Sequence, residues 1–255
     1  MYNPISKSII IGKKVVYLPS CHSTNAIAAE LVRNAVFENG TVVITNEQTQ
    51  GRGQRGTTWV SGSGLNLTFS IILRPVDLSV ADQFIISQTV AIAVVKYLQG
   101  YGQVASIKWP NDIYVGDKKI CGTLIENSIQ GTKISTSVIG IGLNINQLNF
   151  DQFRGTSLAL ALNHGLNLPD EFSGLVGLLD HYFDLLFNGE HELIRTMYLD
   201  SLLGLGVLKQ FRMGTEIVYG TITGISKWGR LCFRPHNHLE IKEFDIKEIE
   251  WIWED

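Results

Sequence analysis

Glu47-Gln48-Thr49-Gln50 leads into Gly51-Arg52-Gly53-Gln54-Arg55-Gly56, and Thr57-Thr58-Trp59-Val60-Ser61 closes the stretch. Three glycines and two arginines thus fall within six residues, followed by an aromatic. Glycine lets backbone N–H groups approach a ligand closely. Arginine brings a fixed fork of donors matched to carboxylate or phosphate. A pliable, cationic, donor-rich loop ending in a stacking surface suits an anionic, partly flat small molecule, although loops carry such residues for bland reasons too. A second cluster follows, Lys108-Trp109-Pro110-Asn111-Asp112, and then Lys118-Lys119-Ile120-Cys121-Gly122. Arg52, Arg55 and Lys119 are cationic side chains suited to a bound anion. Ser23, Thr24 and Gln48 carry hydroxyl and amide groups that can both donate and accept hydrogen bonds. Ser23-Thr24-Asn25 also reads as plain helix capping. Trp59 is a stacking platform or a core tryptophan. Asn144 and Asn146 either meet a ligand or make Asx turns, and Asp112 either serves a proton transfer or stabilises the turn after Pro110.

These residues need elements to hold them. Lys14 to Leu18 reads as a strand, a helix runs from Ser23 to about Arg33, and Gly40 to Thr45 delivers the glycine–arginine loop. Leu65 to Leu73 alternates as a strand, and Ser79-Val80-Ala81-Asp82 reads as a capping box opening a long apolar helix that Gly100 ends. Val104 to Trp109, Lys119 to Asn127 and Thr132 to Leu143 are expected as adjacent strands, and Pro169 opens a helix with Leu175, Leu178, Leu179, Tyr182, Phe183 and Leu186 on one face. From Lys209 onward short strands take over, one with Ile217, Tyr219 and Ile222, one with Leu231 and Phe233, and one with Phe244, Ile246 and Ile249; Gly220, Gly224 and Gly229 stand at the breaks. Trp251 and Trp253 are expected to anchor this small barrel to the main domain.

Composition bounds the function. At 255 residues, with 45% hydrophobic and 18% charged residues, the chain is an ordinary globular protein with room for a large core. A net charge of −3 speaks against broad nucleic-acid binding. Three scattered cysteines, Cys21, Cys121 and Cys232, form neither a disulfide framework nor a metal pair and point to a reducing compartment. No window approaches the ~18 apolar residues of a membrane span; the expectation is a cytoplasmic protein with no membrane partner. His191-Glu192 lacks a second histidine at Arg195, His236 and His238 flank a turn, and Cys121 packs as a small apolar group, so no protein metal site is expected.

Ser23-Thr24-Asn25, the Gly51–Ser61 loop, Lys108 to Asp112, Lys118 to Gly122 and Ile141-Gly142-Leu143-Asn144-Ile145-Asn146 appear in the order found in biotin–protein ligases, and the chain resembles that family along nearly its whole length. The resemblance implies an α/β (α+β) fold, with a mixed-sheet catalytic domain of the biotin/lipoate ligase type at 1–205 and a small SH3-like β-barrel at 206–255. It implies ATP and biotin as substrates, Mg²⁺ accompanying the nucleotide, and a biotinyl-5′-adenylate intermediate. The partner would be the biotin carboxyl-carrier domain of acetyl-CoA carboxylase or of another biotin-dependent enzyme. Carried onto this sequence, Ser23, Thr24, Asn25, Gln48, Arg52, Gly53, Gln54 and Lys119 would bind biotin. Arg55, Trp59, Asn111 and Asn144 would bind ATP or the adenylate, and Lys119, Arg52 and Asp112 would be catalytic.

The loop departs from the family pattern at Gln54, where an arginine is usual, which suggests looser retention of the adenylate; Thr57 and Thr58 also replace common basic residues. His22 stands where an acid is common, and no mechanism attaches to it. The glycines imply a loop that is mobile when empty and closes over ligand. Only 22 residues precede Ser23, so no winged-helix repressor domain and no operator binding are expected. The competing readings are a lipoate or octanoate ligase, whose paired-arginine glycine run and His-Asp are missing, and a non-catalytic biotin sensor, against which Lys119 speaks. A monomer and a homodimer are both compatible with the sequence.

Overall fold

The computed structural model describes residues 2–5, 7–75, 77–150 and 154–253, with Arg55 described along its backbone only. In chain order the elements are β1 (Val15–Cys21), α1 (Thr24–Arg33), β2 (Thr41–Gln48), β3 (Leu67–Leu73), α2 (Phe84–Gly100), β4 (Ala105–Lys108), β5 (Asp112–Val115), β6 (Lys118–Gln130) and β7 (Lys133–Leu143). Then come α3 (Leu158–Leu162), α4 (Leu168–Phe187), α5 (His191–Asp200), β8 (Leu208–Met213), β9 (Glu216–Ile225), β10 (Leu231–Pro235), β11 (Lys242–Phe244) and β12 (Glu250–Trp251).

Seven strands form a mixed sheet ordered β1-β2-β3-β7-β6-β5-β4, parallel between β1 and β2 and antiparallel elsewhere. Side chains alternate between its faces. Val42, Ile44, Phe69, Ile71, Ile139 and Ile141 point into the main core beneath α2 and α4, while Val43, Ile72 and Val138 meet Ala28 of α1 on the other face. The α1 helix covers only part of its face. The remainder, over β6 and β7, carries Gly122, Gly140 and Gly142 and stays open as the floor of a cavity. A separate five-stranded antiparallel sheet, ordered β11-β10-β9-β8-β12, closes the C-terminal region.

Several expectations are corrected. The expected strand reaching Trp109 ends at Lys108, and β5 lies between β4 and β6, so those two are not neighbours. Four residues were too few for alternation to reveal β5. Ser79 caps a 3₁₀ turn at Val80–Asp82, and α2 begins only at Phe84. Gly220 and Gly224 lie within β9, not at its ends: a Cβ on Gly220 would come within 2.1 Å of the Phe233 ring, so glycine there admits an aromatic from the next strand. Of the last expected strand only Phe244 lies in one, at the end of β11; Ile246 and Ile249 pair in a single bridge between β11 and β12.

Trp253 stacks on Tyr114 of β5 with ring centroids 5.1 Å apart, and Trp109 Nε1 donates to the Gly229 carbonyl at 2.9 Å. The C-terminal sheet is thereby tied to the strands that carry the second motif. No helix among the described residues is long and apolar enough to cross a membrane.

Candidate active site

The glycine–arginine loop folds as a small hairpin. Gly53 N–H donates to Thr57 O at 2.7 Å, Trp59 N–H to Gly51 O at 3.1 Å, and a 3₁₀ turn at Gln54–Gly56 makes the reversal, with Gly56 at φ +82°. Asn66 fastens its outgoing end, donating to Ser61 Oγ at 3.0 Å and accepting Ile145 N–H at 2.9 Å. The hairpin thus hangs over the open sheet face.

Its Trp59 indole rests on glycines. A Cβ on Gly142 would lie 2.3 Å from the ring, and one on the paired Gly122 would lie 3.0 Å from it. Only bare backbone at these two positions gives a flat floor. Gly140 does the same for Asn25, whose amide would lie 2.3 Å from a Cβ there. The Trp59 Nε1 atom is buried with no hydrogen-bond partner, a donor without an acceptor.

Around this floor is a cavity of about 1020 Å³. Ser23, Thr24, Asn25, Gln48, Arg52, Gly53, Gln54, Trp59, Asn111, Asp112 and Lys119 all line it. Gln48 Oε1 accepts the Thr24 backbone N–H at 2.8 Å, and Ser23 makes no side-chain cap. The expected capping by Ser23 is therefore replaced by an amide from β2, which satisfies one of the free donors of α1. Asn111 is buried, its amide donating to the carbonyl and hydroxyl of Thr123. Pro110, just before it, accepts a hydrogen bond from the fully buried Tyr198 of α5 at 2.9 Å, which fixes the turn carrying Asn111 and Asp112.

Lys119 Nζ lies 2.7 Å from Asp112 Oδ1 and 5.8 Å from the centre of the Trp59 ring. Asp112 is partly buried, its side chain 28% exposed. Lys108 faces the same space, with Nζ 5.6 Å from the Tyr114 ring and 6.0 Å from that of Trp253. Burial pulls its pKa below the usual lysine value, the nearby Asp112 carboxylate opposes this, and Lys119 adds to it. Burial likewise pushes the Cys121 thiol up, which fits its expected role as packing.

Asn144 does not line the cavity. Its Nδ2 donates to Thr156 O at 3.0 Å and its buried Oδ1 has no partner. Asn146 pins the turn before α4 by two bonds of 2.8 Å to the Leu166 backbone. The Arg55 side chain lies outside the described residues. Several lining residues carry no motif signal: Thr68, Tyr114, Arg154, Lys247 and Trp253. The last two come from the C-terminal region, over 120 residues from Asp112 in sequence. Among the described residues no three His, Cys, Asp or Glu side chains gather as a metal site.

The family model described as the biotin/lipoate A/B protein ligase family matches residues 17–144. The bifunctional ligase/repressor BirA of Bacillus spizizenii is 30% identical over 241 residues, covering 92% of this chain and 73% of that protein. The biotin–[acetyl-CoA-carboxylase] ligase of Paracoccus denitrificans is 28% identical over 228 residues, covering 83% of this chain and 90% of that one. In fold, the chain matches the biotin protein ligase from Aquifex aeolicus solved in complex with biotin and ATP, with a TM-score of 0.76 at 23% identity, over 93% of this chain and 98% of that one. The chain belongs to the biotin/lipoate A/B protein ligase family, among relatives that are biotin ligases.

Proposed function

We propose that this chain, a ligase of the biotin–protein class by its family, attaches biotin to one lysine of a biotin carboxyl-carrier domain, at the cost of ATP, through biotinyl-5′-adenylate. In the first step a biotin carboxylate oxygen attacks the α-phosphorus, the mixed anhydride forms and pyrophosphate leaves. In the second the carrier lysine attacks the acyl carbon, an amide forms and AMP leaves.

One observation carries the reading: Lys119, Arg52 and the loop residues Gly53, Gln54 and Trp59 line the same cavity over the glycine-bearing face of the sheet. Two anions repel in the first step, and fixed cations and donors in a partly enclosed site lower that barrier most. In this reading Lys119 bridges carboxylate and α-phosphate. Once an anion draws Lys119 away, Asp112 is left without its partner and becomes available to take the proton of the incoming lysine. Ser23, Thr24 and Gln48 suit the ureido ring, and Trp59 suits the flat surfaces of the intermediate.

Mg²⁺ is expected with the nucleotide, held by phosphate oxygens and water. Among the described residues Asp112 is the one carboxylate lining the cavity, so the protein offers at most a single carboxylate to the ion. Residues 1–205 are read as the catalytic unit and 206–255 as the C-terminal domain, the latter adding Lys247 and Trp253 to the cavity wall.

Mass spectrometry of a carrier domain incubated with the protein, biotin, ATP and Mg²⁺ tests the proposal. One biotinyl addition on one lysine is expected, with pyrophosphate exchange driven by biotin and not by lipoate; exchange driven by lipoate alone refutes it.

A further inference from the structure

Glu126 stands where the glycine–arginine hairpin meets the first turn of α1, and neither half-reaction gives it a task. It lies on β6, on the strand face of Gly122 and Leu124. A single carboxylate oxygen, Oε2, accepts from two donors, Arg52 NH2 at 3.0 Å and Asn25 Nδ2 at 2.8 Å. Those donors come from the loop and from α1, which otherwise approach the cavity from different elements.

The charge on that oxygen sets the polarity of its neighbours. An ionised carboxylate only accepts, so Asn25 must present its amide nitrogen, which also donates to Leu124 O at 3.2 Å. Its Oδ1 is then left as acceptor for Ser70 Oγ at 2.6 Å. A hydroxyl has one proton, so Ser70, having given its own to Asn25, must accept from Thr24 Oγ1 at 2.7 Å. Thr24 has then spent its one hydroxyl proton on Ser70, so only its backbone N–H donates to Gln48 Oε1, at 2.8 Å, and the hydroxyl chain ends at Thr24. A carboxylate at one end thus fixes the donor and acceptor sense of a chain that ends on a residue lining the cavity.

Arg52 is held without being consumed. Its guanidinium has five donors, and the bond to Glu126 comes from NH2 alone. Arg52 lines the cavity and Glu126 does not.

We propose that Glu126 is a positioning residue for the acid site: it sets the Arg52 guanidinium in the cavity wall and fixes the polarity of the Asn25–Ser70–Thr24 chain beside it. The assignment rests on the biotin-ligase reading. A glutamine at this position is nearly the same size but carries N–H donors, so it can hold Asn25 in either sense and gives Arg52 no charge.

The test is biotin affinity, by calorimetry on the full chain, for the natural protein, E126Q, R52A and the double variant. E126Q is expected to weaken biotin binding about threefold to fivefold, the scale of a half-exposed ion pair. It should raise KM for biotin alike while leaving kcat within about twofold. In the double variant the two losses should fall short of their product by at least about twofold, because both act through one guanidinium. The side chain of Glu126 is 42% exposed, so E126Q should keep the thermal midpoint of the natural protein, and a purely structural role would not give the coupling. If E126Q binds biotin as the natural protein does, or the single losses multiply in full, the assignment is overturned while the ligase reading stands. A natural protein with no affinity for biotin overturns both.

Discussion

Lys119 Nζ and Asp112 Oδ1 lie 2.7 Å apart, so the ammonium group is held by an internal carboxylate. Each partner restrains the other until a substrate anion arrives. On the proposed reading, that arrangement divides the labour between the two half-reactions. Lys119→Ala should cut adenylate formation by about 10²- to 10³-fold, the scale of losing a donor aimed at developing charge. Asp112→Asn should slow adenylate formation by less than about tenfold and slow transfer to the carrier lysine more. Raising the pH should recover the transfer, because the lysine then sheds its proton unaided. Single-turnover assays of each half-reaction check this; equal losses in both would remove Asp112 from the second step.

The floor under Trp59 makes a steric prediction. Gly142→Ala places a methyl 2.3 Å from the indole ring, and the ring must move. Overpacking of this kind costs about 1–3 kcal/mol. Since Trp59 hangs on a loop that can yield, the cost should fall on ligand binding and not on folding. Biotin affinity measured by calorimetry should drop by about tenfold or more, with the thermal midpoint little changed, and Gly122→Ala should do less because its contact is 3.0 Å.

Lys108 gives a pH signature. Burial lowers its pKa, so it carries charge below that value and loses it on the alkaline side earlier than a free lysine at about 10.4 would. If its ammonium supports the nucleotide phosphates, KM for ATP should rise as pH climbs through the lowered pKa. Lys108→Met should show a raised KM at neutral pH and no such rise. A KM profile identical in the two proteins would show that Lys108 does not meet the nucleotide.

Asp180 sets stability away from the cavity. Its buried carboxylate accepts the backbone N–H groups of Ile9, Ile10 and Ile11 at 2.6, 2.8 and 2.8 Å. Asp180→Ala strands three donors, a loss of about 3 kcal/mol or more. That corresponds to a fall of about 6–12 °C in thermal midpoint for a chain of this size. Calorimetry should register it, with biotin affinity unchanged at temperatures where the variant is folded.

The sequence by itself determined the family and most of the lining of the site. Gly51 to Ser61, Lys108 to Asp112 and Lys119 are legible because glycine, arginine and lysine at such spacing do something that ordinary loops rarely need. It also determined the longer elements, α1, α2, β7 and α4, through capping residues, long apolar runs and, in α4, one apolar face. Shorter pieces escaped: β5 has four residues and β12 two, too few for any period. Tertiary structure alone decided which neutral-looking positions matter. Glu126 reaches Arg52 across 74 residues of sequence, Trp59 settles on Gly122 and Gly142, Gln48 rather than Ser23 caps α1, and Trp253 arrives from the far end to enclose Lys108. The same step drew Asn144 away from the cavity, although its motif had placed it there. A motif fixes which groups are available. Where they meet depends on strand register and on which face of the sheet each side chain takes, and those are set by packing between residues that are distant along the chain.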